Sequence, residues 1–202
     1  IKEYFDFKND YAKIKESLSA DPIISKAIIT GYGIRILKQQ PWEVLISFII
    51  SANNNIQRIK RIVELLCQNY GEPFYSNGIE YYSFPTPEAI AGAAELSVIR
   101  SGYREGYILD AARKVAQGVI DLHEIYKMPA DLARAELKKI KGVGDKVADC
   151  ILLFGYQRFD VFPKDVWVKR VLDKLYSVKE KDIDAFVRQK FGSLGGLAQQ
   201  YL

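Results

Sequence analysis

A lysine and an aspartate carry the first chemical question. In the stretch KKIKGVGDKVADCILLFGYQRFDVFPKDVWVKR, Lys138 to Arg170, a turn pinched by Gly142 and Gly144 is followed at once by Lys146. Nineteen residues later Asp165 stands where another helix is expected to begin. An amine attacks an electrophilic carbon only when neutral, and a helix N-terminus and burial both disfavour the ammonium form. The plain alternative is a solvated lysine that tolerates the small penalty of a cation near a helix start. Asp165 likewise has two readings: Asp is a favoured N-cap, and a carboxylate held rigidly as a cap is also aimed as a catalytic carboxylate must be. The two are compatible.

The turn itself suggests an anion site. Two glycines flanking one apolar residue allow a tight helix–turn–helix, with Val143 anchoring it in the core. The glycines expose backbone N–H groups at the start of the following helix, where the dipole also favours an anion. Phosphate binds such a donor set without regard to base sequence. Lys138, Lys139 and Lys141 beside the turn favour a helix-hairpin-helix over about 131–156; an ordinary αα-corner is the other reading.

These residues need elements to place them, and the chain is expected to be all-α. Its 202 residues, 49% hydrophobic, can build one large domain or two small ones. A net charge of +4, from 29 basic and 25 acidic residues, permits nucleic-acid binding without demanding it. Two cysteines, Cys67 and Cys150, are too few for a disulfide scaffold or a four-cysteine metal site, and they point to a reducing, intracellular setting. One histidine, His123, excludes a His-rich metal site. No apolar run is long enough to span a membrane.

Asp21-Pro22 opens a helix that Gly31 can close. PWEVLISFIISA, from Pro41, is apolar nearly all round and reads as a buried helix; NIQRIKRIVELLCQNYG follows, with Gly71 at its end. Asn77-Gly78 predicts a short β-hairpin near residues 74–84, the one break in the helical pattern. GYREGYILDAARKVAQGVIDL returns to helix, and Pro129 opens another. After the glycine turn, Val147, Ile151 and Phe154 form an inward stripe, while Lys146 and Cys150 share a different face. Beyond Asp165, Val168, Val171, Leu172 and Leu175 point inward.

KIKGVGDKVADCILLF followed by VFPKDVWVKR closely resembles the helix-hairpin-helix DNA glycosylases of the 8-oxoguanine DNA glycosylase family. The resemblance continues upstream through GIRILKQQPWEVLISFIISANNNIQRI and SGYREGYILDAARKV, and downstream through FGSLGGLAQQYL, so it covers most of the chain in order. It implies a helical glycosylase body of two subdomains over 1–202 and removal of 8-oxoguanine from duplex DNA, with Schiff-base lyase activity. Lys146 and Asp165 match the catalytic pair. Gly142, Val143, Gly144 and Trp167 match DNA-backbone contacts. Asn53 matches a residue that fills the gap left by the flipped base, Tyr103 the side chain wedged into the stack, and Arg58 and Arg104 readers of the orphan base. Cys150 and Gln199 match base-pocket residues. Read singly, Asn53 reads as a C-cap, Tyr103 as a loop aromatic packed on the core and Gln199 as a surface helix residue, while Cys150 reads as a small buried hydrophobe, which is compatible with a pocket role.

By the same resemblance no metal or organic cofactor is needed, although the backbone at Lys138, Ile140 and Val143 could hold a monovalent cation beside a phosphate. The expected partner is double-stranded DNA containing 8-oxoguanine, met by a monomer in a bacterial cytoplasm or a nucleus. Some residues depart from the pattern. Trp167 replaces a histidine, Lys141 stands where proline is frequent, and the antiparallel β domain of longer members is not expected in this chain. The runner-up readings are another glycosylase of the superfamily and a non-catalytic helix-hairpin-helix DNA-binding module. The second needs neither Lys146 and Asp165 together nor the NNN and GYR segments.

Overall fold

Five helix starts carry the same device. Asp10, Asp21, Asn55, Thr86 and Asp165 each precede a helix, and each side chain accepts a hydrogen bond from an amide of the first turn. Proline at the first position reinforces α2 (Pro22–Thr30), α3 (Pro41–Ser51) and α5 (Pro87–Ala91). The computed structural model describes residues 1–202 and divides them into two compact units. One is continuous, residues 40–148; the other joins residues 1–39 to 149–202.

The continuous unit holds α3, α4 (Ile56–Tyr70), the hairpin β1–β2 (Pro73–Ser76 and Ile79–Tyr82), α5, α6 (Glu105–Ala116), α7 (Ala130–Leu137) and the first turn of α8 (Asp145–Tyr156). α3 packs on α4 and α6, and α5 on α6. Val44, Leu45, Ile46, Ile49 and Ile50 are all buried, as expected of a helix apolar nearly all round. The hairpin pairs Pro73 with Tyr82 and Ser76 with Ile79, closed by Asn77 and Gly78 at φ 51° and 75°, the left-handed pair a two-residue turn requires. α6 stops at Ala116, short of the helix expected through Leu122, because Gly118 turns left-handed at φ 70°.

The discontinuous unit holds α1 (Tyr11–Leu18), α2, the rest of α8, α9 (Val166–Tyr176), α10 (Ile183–Phe191) and α11 (Gly195–Tyr201). α11 packs against α2 and α10. Two stripes differ from expectation. Ala148 to Leu153 are buried without interruption, while Val147 and Phe154 are only half-buried, so burial along the middle of α8 is not confined to one stripe. Leu175 is 48% exposed. The inward row of α9 runs Val168, Leu172, Tyr176, and each step of four overshoots a full turn by about 40°, which leaves Leu175 at its edge.

Tyr176 ends that row on Asp21. The Asp21 carboxylate accepts from the amides of Ile23 and Ile24, from the Tyr176 hydroxyl at 2.7 Å and from the Lys190 ammonium at 2.9 Å. Burial opposes its ionisation, but these donors outweigh burial and hold its carboxyl below the usual range. One side chain thus ties α2 to α9 and α10. Asp21→Ala removes the cap and strands the Tyr176 hydroxyl, and should cost about 1–3 kcal/mol in urea denaturation. A midpoint unchanged from wild type would show that the cluster holds nothing together. Because the carboxyl is depressed, its contribution should be present at neutral pH and fade as pH falls through its lowered value.

Candidate active site

The glycine turn is a tight hairpin between α7 and α8. Lys138 caps the end of α7, and the turn closes with Ile140 N–H donating to the Leu137 carbonyl and Val143 N–H to the Ile140 carbonyl, both at 3.1 Å. Val143 is buried, and Lys138 reaches across to Asp145 at 2.6 Å. Gly142 adopts φ 83°, where a Cβ would lie 2.5 Å from the Tyr107 ring. Gly144 has open space around it. The two glycines therefore do different jobs: the first makes the turn and the second keeps the approach to the α8 amides clear.

α6 grips this hairpin with three side chains on one face, Tyr107, Asp110 and Lys114. Tyr107 lies against Gly142. Asp110 accepts from the Lys141 amide at 2.9 Å and from Lys114 at 2.8 Å, and Lys114 also donates to the Lys139 carbonyl. Burial opposes ionisation of Asp110, yet the Lys114 ammonium and the Lys141 amide hold its carboxyl below the usual range. Reading the sequence did not single out these residues. Their i, i+3, i+7 spacing marks one helical face, but their partners are backbone groups, which no side-chain pattern reveals. The Ile140 carbonyl is engaged inside the turn and keeps a second lone pair. A monovalent cation at the carbonyls of Lys138, Ile140 and Val143 fits that donor type and would add positive charge beside a phosphate.

Gly142→Ala should destabilise the hairpin by about 1–3 kcal/mol, while Gly144→Ala should leave the fold intact. Urea melts of both variants check this. Equal behaviour of the two would mean that both glycines do the same job in the turn.

Lys146 is the second residue of α8 and is half-buried. Its ammonium lies 5.4 Å from the centroid of the Phe48 ring on α3, and within its unit no carboxylate pairs with it. The loop after α3 sits in the same unit. Asn53 is exposed at φ 48°, and its side-chain amide makes no hydrogen bond in the protein. Tyr103 is 59% exposed, donates to the Ala52 carbonyl at 3.4 Å, and meets Tyr107 edge-on at 5.9 Å. The aromatic at the Asn53 loop is thereby continuous, through Tyr107, with the hairpin. Arg58 is exposed and makes one long bond, 3.4 Å, to the Arg100 carbonyl. Arg104, expected as a second base reader, is 2% exposed and engaged with backbone carbonyls of this loop.

The remaining residues belong to the other unit. Asp165 caps α9: its Oδ1 accepts from the Val168 amide at 2.8 Å, and its other oxygen makes no hydrogen bond in the protein. Trp167 is 70% exposed with the Arg170 guanidinium 5.1 Å from its ring centroid. Cys150 is buried, and neither cysteine forms a disulfide. Gln199 is half-buried on α11 and accepts a hydrogen bond from Gln200.

Residues 46–195 match the model of the HhH-GPD superfamily of base excision DNA repair proteins. The chain belongs to the HhH-GPD superfamily. Residues 1–45 of this HhH-GPD protein match the 8-oxoguanine DNA glycosylase N-terminal domain model. The chain is 32% identical to a probable N-glycosylase/DNA lyase of Methanothermobacter thermautotrophicus, across all of its own length and 72% of that protein. It is 38% identical to an N-glycosylase/DNA lyase of Saccharomyces cerevisiae, over 83% of the chain and 49% of that protein. It is also similar to the 8-oxoguanine glycosylase/lyase of Clostridium acetobutylicum, solved with double-stranded DNA containing cytosine opposite to 8-oxoG. That similarity has a TM-score of 0.92 and 42% identity over 99% of this chain and 71% of the other. No helix of this superfamily member is long and apolar enough to cross a membrane.

Proposed function

We infer that this protein removes 8-oxoguanine from duplex DNA in base excision repair and then cleaves the strand as a lyase. The observation that carries the reading is the 42% identity, over 99% of the chain, to a glycosylase/lyase solved with 8-oxoG-containing DNA. The placement of Lys146 after the hairpin and of Asp165 at a helix cap supports it. A base inside a duplex is out of reach, so the damaged nucleotide is flipped out. The hairpin amides hold the backbone by a phosphate. As the bond between C1′ and the base breaks, Asp165 stabilises the positive charge developing on the sugar. The Lys146 amine forms a new bond to C1′, and the base leaves with the electron pair of the old one. Loss of a proton and opening of the sugar ring give a Schiff base, and removal of a C2′ proton expels the 3′-phosphate.

The test is a duplex carrying 8-oxoguanine opposite cytosine, incubated with the protein and borohydride. Release of the base and a reduced covalent protein–DNA adduct are expected. Duplex binding with neither outcome would instead make the chain a non-catalytic binding module.

A further inference from the structure

Arg100 is an arginine in a glycine's conformation. It closes the short turn Ser97–Ile99 at φ 56° and ψ 34°, in the left-handed region. Glycine settles there readily, asparagine and aspartate do so now and then, and a long side chain does so against its steric preference. Strained residues of this kind gather at functional sites, and the inference runs from the outlier to the function. The side chain held there is exposed, and no carboxylate of its unit pairs with it. Several other surface cations of the unit are tied down: Arg61 to Glu64 at 2.8 Å, Lys127 to Glu124 at 2.6 Å and Arg134 to Asp131 at 2.7 Å.

Arg58 shares both the isolation and the place of Arg100. Its Nη2 donates to the Arg100 carbonyl at 3.4 Å and lies 3.7 Å from where a Cβ on Gly102 would stand. Two guanidinium groups without a carboxylate partner therefore serve one segment, which leads directly into the exposed Tyr103. Such a pair repels itself and draws an anion, and the planar guanidinium fork matches a phosphate. We propose that Arg100 grips a backbone phosphate of the DNA strand opposite the lesion, aimed by its left-handed backbone. The choice of strand rests on the glycosylase reading, in which Arg58 faces the orphan base. A second guanidinium on the segment that Arg58 touches then meets the phosphates flanking that base. A phosphate contact positions the duplex and carries no sequence information, so it acts alike whatever base stands opposite the lesion.

The experiment measures affinity for duplexes carrying a tetrahydrofuran abasic analogue opposite each of the four bases. Arg100→Gly removes the charge and relieves the backbone. Its urea midpoint should hold or rise, while its affinity at low salt should fall on the order of tenfold opposite every base. The slope of log affinity against log salt should become shallower by about one. Arg100→Gln keeps the strained backbone and drops only the charge, and should lose the same affinity without the gain in midpoint. Phosphates around the orphan base are then replaced singly by neutral methylphosphonates. One replacement should weaken the wild type and leave Arg100→Gly unaffected, because the two changes remove the same contact. Unchanged affinity and salt slope in both variants would make Arg100 a turn residue and overturn the proposal. So would a loss confined to one opposing base, or coupling found only with phosphates of the lesion strand. Binding the analogue requires no bond cleavage, so a wild type that binds it but releases no 8-oxoguanine would sink the reaction assignment and not this inference.

Discussion

Lys146→Gln should bind duplex DNA and give no borohydride-trapped adduct. The amide side chain cannot form a Schiff base, so the covalent route is lost outright rather than slowed. Binding should survive because the hairpin amides remain: the turn is made by Gly142 and anchored by Val143, and is gripped by Tyr107, Asp110 and Lys114, none of which the substitution touches. Lys146 stands half-buried at the start of α8, directly after the hairpin, with its ammonium 5.4 Å from the centroid of the Phe48 ring. Trapping on a pre-formed abasic site separates attack from base release. An adduct of undiminished yield in the variant would move the nucleophile elsewhere.

Asp165→Asn should lower the rate of base release on the order of 10²–10³-fold while leaving duplex affinity nearly unchanged. A carboxylate that stabilises charge developing in the transition state contributes little to the ground-state complex. Asparagine keeps the shape and is itself a good N-cap, so the hydrogen bond to the Val168 amide should persist and stability should fall by at most about 1 kcal/mol. That makes the substitution a clean separation of the capping role of Asp165 from the catalytic role proposed for it. Single-turnover excision, together with a urea melt, measures both. Near-normal turnover would leave Asp165 as a cap and no more.

Much of this protein is written in local signals. Asp21-Pro22, Asn55 and Asp165 start helices because a short polar side chain can reach first-turn amides from the position before the helix. Asn77-Gly78 closes a hairpin because both residues accept positive φ. The glycine turn and the lysine behind it are legible for the same reason, since they act through neighbours in the chain. Tertiary structure decided what depends on distant backbone. The sequence does not say that Asp110 and Lys114 would spend their charges on the amide of Lys141 and the carbonyl of Lys139, or that Tyr107 would fill the space beside Gly142. Nor does it say that Arg104, adjacent to an exposed Tyr103, would be buried with its guanidinium on the carbonyls of Ala52 and Asn53. A backbone carbonyl carries no residue identity, so a side chain whose partner is backbone leaves no pairwise signature, and only the folded chain shows where it points.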